Sequence, residues 1–313
     1  PCVRANPERE RRGGYFQVSE ADPESCKLEC MTTAPVLDRE EYIEQAYFFR
    51  VFRDRLADNL SSQDILTRVH EELLSSTRLP YAVQFLATEL KHTGLLGSGF
   101  AKLPHYFTAF QAYVIQQAES VTSRFPMPTA LLVLEREAAY RAEKPTRPGL
   151  FVYQFETIAR NRLGYLDGFG AIAADPIFDA NWRVYINALP RQVGDVDFSD
   201  LVYLRSELYA MEQRRANPAF EPRFPSIFGE KEGKIAKASR GRDPLYLFAA
   251  LQRQLGYPEV PRFRERDDAK TKLDVILTKL RELEMRIKLT EGELRGNIDL
   301  SQFGKPDLLK DDD

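Results

Sequence analysis

A chain of 313 residues, 43 % hydrophobic and 29 % charged, is long enough to bury a sizeable core without disulfides or a structural metal. A formal net charge of −3 provides no overall basic surface of the kind a nucleic-acid backbone attracts, so nucleic acid is disfavoured as a partner. No run approaches the roughly 18 apolar residues of a membrane-spanning helix, and "RANPERERRGG" is charged where a secretory signal has its apolar core, so the expected location is cytoplasmic.

Residues 1–37 read as a flexible extension rich in Arg, Glu, Pro and Gly, a composition that does not pack a core. Met31 opens "MTTAPVLDREEY" like a fresh start, which sets residues 1–30 apart from the rest of the chain. All three cysteines, Cys2, Cys26 and Cys30, fall in this stretch. "CKLEC" has no second Cys/His pair nearby in sequence, so these are expected to be incidental thiols and not a zinc site.

Residues 38–256 predict an all-α, multi-helix body. Asp38 is placed to cap a helix with wide apolar coverage, in which Tyr42, Phe48, Phe49 and Phe52 point to burial on more than one side. Ser61 and Asp64 start a second helix carried on by Ile65 and Val69. Pro80 suits the first turn of a third, which Gly94 stops. "GLLGSGFAKLP" (94–104) is expected to be a loop. Helices are then expected over 105–124, 129–143 and 150–166, the last marked by Phe151, Phe155, Ile158 and Leu166. "NWRVYINAL" (181–189) alternates like a strand but has no partner strand nearby, which favours helix. One capped helix is expected over 197–215, a proline-rich irregular stretch over 216–233, and a helix from Asp243 ended by Gly256 and Pro258.

A linker over 257–266 should then lead to a long amphipathic, coiled-coil-like helix over 267–296 and an acidic tail over 297–313. With Leu273 as heptad position a, Leu273, Leu280, Ile287 and Leu294 occupy a, while Ile276, Leu283 and Thr290 occupy d. In a parallel pair Lys279 of one helix meets Glu284 of the other, and Arg286 meets Glu291; both contacts attract. An antiparallel pair of identical helices sets Glu284 and Glu291 against acidic mates. Leu277 at e and Leu289 at c widen the stripe, and Gly292 weakens the last turn. The seam residues Leu273, Ile276, Leu280, Leu283, Ile287 and Leu294 are thus a candidate interface for self-association. Packing onto the protein's own body and pairing with an unknown protein partner are the alternatives.

Catalytic motifs are scarce. Glu89-x-x-His92 is half of the ligand set of a ferritin-like di-iron bundle, because residues i and i+3 project the same way. The other two histidines, His70 and His105, have Thr67 and Lys102 three positions before them, so no second half exists. Glu44, Glu135 and Glu156 could complete only a nonstandard site. Asp195, Asp197 and Asp200 lack the glycine and glutamate positions of a calcium loop and are better explained by helix capping. "GEKEGK" is one residue short of a phosphate-binding loop and has Ile235 in place of Ser or Thr; "GSGFAK" does not follow a strand. The most basic run, Lys231, Lys234, Lys237, Arg240 and Arg242, could hold an anion but lacks interleaved aromatics.

The sequence therefore implies no cofactor and leans away from an enzyme. It favours a structural or interaction protein that assembles as a homo-oligomer through its C-terminal helix. The alternatives are a helical metal or redox enzyme using Glu89 and His92, and a phosphate or nucleic-acid binder using the run 231–242.

Overall fold

The computed structural model describes residues 36–120, 122–262 and 276–288. Among these residues the fold is all-helical, and the extended pairings are limited to two isolated bridges, Val193 with Val196 and Ser206 with Phe228.

Six helices form the first half: α1 (Arg39–Ala57), α2 (Ser62–Glu72), α3 (Leu79–Thr93), α4 (Leu96–Ala101), α5 (Ala109–Glu119) and α6 (Met127–Ala142). α1 lies along α6 in the most extensive helix pair and buries Phe48, Phe49 and Phe52 completely or nearly so. Two carboxylates of α1 also face inward. Glu44 accepts from the Leu74 amide at 3.1 Å and Glu41 from the Arg78 amide at 2.9 Å, which satisfies amides in the turn leading into α3. Glu41 also accepts from the Tyr106 hydroxyl at 2.7 Å. Ser61 caps α2 through the Asp64 amide, Pro80 lies in the first turn of α3, and Gly94 ends it with φ at 73°.

Two boundaries here differ from the sequence expectation. The stretch expected to be a loop contains α4. Two of its glycines are poor helix formers, but the Glu119 carboxylate of α5 accepts from the Leu96 and Gly97 amides, and Phe100 is fully buried. α5 begins at Ala109 and not near His105, because Thr108 and Gln111 form a reciprocal capping box.

The second half comprises α7 (Arg147–Asn161), α8 (Tyr165–Ala173), α9 (Ala180–Ala188), a 3-10 turn (Leu189–Arg191), α10 (Phe198–Leu204), α11 (Glu207–Ala216), α12 (Glu230–Ser239) and α13 (Pro244–Leu255). α7 is buried on every side from Gly149 to Ile158 and is the spine of the fold. Its polar side chains are bonded inside the core: Tyr153 donates to the Val133 carbonyl at 2.7 Å, and Gln154 to Glu137 at 2.8 Å. The single helix expected over 150–166 is two. Arg162 adopts φ of 55° and terminates α7, so Leu166 lies on α8, where it is exposed. The stretch 181–189 is helical, as α9. The helix expected over 197–215 breaks at Arg205 and Ser206, and part of the stretch expected to be irregular up to 233 is the start of α12.

Residues 257–261, expected to begin a linker, lie on the body. Tyr257 and Val260 are buried, the Tyr257 hydroxyl donates to Glu156 at 2.6 Å, and Asn161 donates to the Pro261 carbonyl at 3.0 Å. Residues 276–288 are helical. The remainder of the expected helix over 267–296, including Leu273 and Leu294, lies outside the described residues. So do the three cysteines and the tail over 297–313.

Candidate functional site

The two halves of the expected metal pair are engaged differently. Glu89 on α3 forms an ion pair with Lys102, and His92, one turn on, is exposed. The three carboxylates considered alongside them have other partners: Glu44 the Leu74 amide, Glu135 the Arg53 guanidinium, Glu156 Arg160 and the Tyr257 hydroxyl. Among the described residues no three His, Cys, Asp or Glu side chains converge as a metal would require.

The basic run lies on and just beyond α12. Lys234 pairs with Glu230 at 2.6 Å, Lys237 with Glu212 at 2.8 Å, and Arg240 with Asp200 at 2.5 Å. Arg240 also stacks 4.1 Å above the Tyr203 ring. Carboxylates of α10, α11 and α12 thus already occupy three of the five cations, and the run has little surplus charge for an anion. Lys231 and Arg242 are exposed. Asp197 caps α10 through the Ser199 amide at 3.1 Å, which accounts for one member of the aspartate cluster.

The structure draws together residues that carried no sequence signal. A cleft of about 430 Å³ opens between α9, the α10–α11 break and the segment 220–224. Its walls are mostly apolar, with Val184, Leu201, Leu204, Tyr209, Phe220 and Phe224 among them. Its polar lining comes from Gln192, Arg205, Glu221 and Arg223, of which Arg205 marks the break between α10 and α11. The chain leaves helical geometry there because Ser206 turns its hydroxyl back to cap α11, accepting from the Tyr209 amide at 3.3 Å. The Arg205 carbonyl accepts from the Ile227 and Phe228 amides at 2.9 and 3.1 Å, and the Phe228 carbonyl accepts from the Glu207 amide at 2.9 Å. Phe228 fills the space between Trp182 and Tyr185. Together these contacts lay the proline-rich segment across α9 and form the wall of the cleft.

The Arg205 guanidinium lies against two rings, 5.2 Å from the centroid of Tyr185 and 5.1 Å from that of Phe224. No carboxylate among the described residues pairs with it, and burial draws its pKa below the usual guanidinium value. Its Nε is buried without a hydrogen-bond partner, as is the Tyr185 hydroxyl. Burial pushes the Tyr185 phenol well above its ordinary pKa, against the opposing pull of Arg205, so it carries its proton at neutral pH. Each buried donor left unsatisfied costs about 1–3 kcal/mol. The cleft lining includes no histidine, cysteine or serine.

No protein-family model, curated protein or solved structure matches this chain.

Proposed function

We propose that this protein is a non-catalytic interaction protein that self-associates, in parallel, through a coiled-coil seam in its C-terminal region. Support comes from one observation above all. Ile276, Leu280, Leu283 and Ile287, successive d and a positions, share one face of the helical stretch 276–288, and each is between 51 and 56 % exposed. With about half of each side chain exposed, the stripe has apolar surface left to bury, which is what self-association requires.

Energetics place the seam near a threshold. Burying an apolar side chain fully stabilises by about 1.5–3 kcal/mol, and these side chains have about half of that still to gain. Four positions in each of two copies then offer roughly 6–12 kcal/mol, comparable with the ~4–15 kcal/mol cost of association. Assembly by this seam is expected to be reversible and concentration-dependent. Lys279 on one helix against Glu284 on another favours the parallel arrangement, as does the pair of Arg286 with Glu291, which lies outside the described residues.

The experiment is the solution mass of the full chain by light scattering across a concentration series. The expected result is a mass above the monomer that Leu280→Asp with Leu283→Asp returns to the monomer while the helical spectrum of the body persists. A wild-type chain that stays monomeric at high concentration overturns the proposal. The metal-enzyme and anion-binding alternatives have less support, because Glu89 is engaged with Lys102 and three cations of the basic run are already paired.

A further inference from the structure

The assembly seam leaves the cleft around Arg205 without a role. We infer that this cleft binds a small carboxylate with an apolar body, the carboxylate seated on Arg205 and the body lying among Leu201, Leu204, Phe220 and Phe224. Three observations converge on that ligand class. First, no carboxylate among the described residues pairs with Arg205, and a planar guanidinium is the side chain best shaped to grip a carboxylate through paired hydrogen bonds. Second, the outer amino groups of Arg205, unlike its sealed Nε, are not buried and make no hydrogen bond among the described residues, so they are donors that an acceptor in the cleft can reach. Third, apart from Gln192 and the opposite charges of Glu221 and Arg223, the remaining walls are apolar and aromatic, and the volume of about 430 Å³ falls in the range of small-molecule sites.

The ring contacts explain how a lone cation is held ready. Tyr185 and Phe224 both pack against the guanidinium, so less conformational freedom is left to lose when an anion arrives. An inorganic anion would satisfy the donors but leave the apolar walls uncovered, and a neutral alcohol would do the reverse. A molecule carrying both features gains from both.

The test uses the full chain with octanoate and 3-phenylpropionate as probes and octanol as the uncharged control, read by calorimetry and by the fluorescence of Trp182. Trp182 is the chain's single tryptophan, and its ring centroid lies 6.1 Å from that of Tyr185. At least one carboxylate is expected to bind saturably, and octanol about tenfold more weakly than octanoate. Arg205→Met should weaken carboxylate binding by about tenfold and leave octanol unchanged. Because Arg205 is half-buried, Leu204→Glu provides a second test: Leu204 is 47 % exposed, and an acid there repels the ligand without disturbing the core. Failure of both carboxylates to bind at about 10 mM overturns the inference. So does equal affinity for octanoate and octanol, or unchanged carboxylate affinity in Leu204→Glu.

Discussion

Arg141 and Asp175 form an ion pair sealed from solvent, with 3 % and 0 % of their side chains exposed, and it ties α6 to the turn between α8 and α9. The same guanidinium nitrogen donates to Glu137 at 2.8 Å, one turn back on α6, and Glu137 in turn accepts from Gln154 of α7. Burial raises the Glu137 pKa and Arg141 opposes the rise. Removing one member of such a group strands the others in the core. Arg141→Met should therefore cost about 3–5 kcal/mol, seen as a lower urea midpoint with unchanged slope. A loss below about 1 kcal/mol would mean that water reaches the cluster and screens it.

Gly233 sits where α12 crosses the start of α11. A Cβ there would overlap the Ser206 hydroxyl and lie 2.8 Å from the Leu208 Cβ. Alanine would gain about 1 kcal/mol of helix propensity. Overpacking costs about 1–3 kcal/mol, so Gly233→Ala should be destabilising overall, lowering the thermal midpoint by about 2–4 °C. Because Ser206 sets the α10–α11 break, the variant should also disturb the cleft around Arg205.

Asp197 offers a pH signature. Burial disfavours its charge, but hydrogen bonds from the Ser199 hydroxyl and amide and from the Gly241 amide, with Arg240 nearby, outweigh that and hold the carboxyl below its ordinary 3.8. A depressed carboxylate pKa contributes stability that is complete above the unfolded value and disappears as the pH falls through the folded one. Asp197→Ala should cost about 1 kcal/mol near neutrality through loss of the cap. Its deficit relative to wild type should shrink below pH 3.8. A deficit constant with pH would assign the whole effect to the neutral capping geometry.

Charge reversal tests the sense of the proposed seam. Lys279→Glu should weaken self-association by about two- to fivefold at low salt for each pair broken, with less effect at high salt. Adding Glu284→Lys to that variant should restore it. Sedimentation at two ionic strengths reads both outcomes, and a Lys279→Glu chain that associates more tightly would rule out the parallel register.

The helical class and several ends were legible because local chemistry decides them: Ser61 before α2, Pro80 within α3, Gly94 and Gly256 in left-handed geometry after their helices, Asp197 before α10. What escaped depends on distant groups. Glu119, more than twenty residues downstream, supplies the carboxylate that makes a glycine-rich segment a helix and not a loop. Arg162 ends α7 in a backbone region where glycine is the usual occupant, and the glycine is two positions further on. The cleft was less legible still. Tyr185, Arg205 and Phe224 come from three separate elements, and a proline-rich stretch with no periodicity supplies one wall. An arginine without a counter-ion looks in sequence like any other.

The strap formed by residues 257–261 has a mechanical consequence. Tyr257 is fastened to Glu156, and Pro261 to Asn161, both on α7. A pull applied to the chain beyond residue 262 is therefore received by the innermost helix of the protein and not by a peripheral one. If that pull breaks the Tyr257 fastening, it uncovers the Glu156 carboxylate, 3 % exposed at rest, beside Arg160. Tension on the C-terminal segment would then be registered at the centre of the molecule as a newly wetted charge.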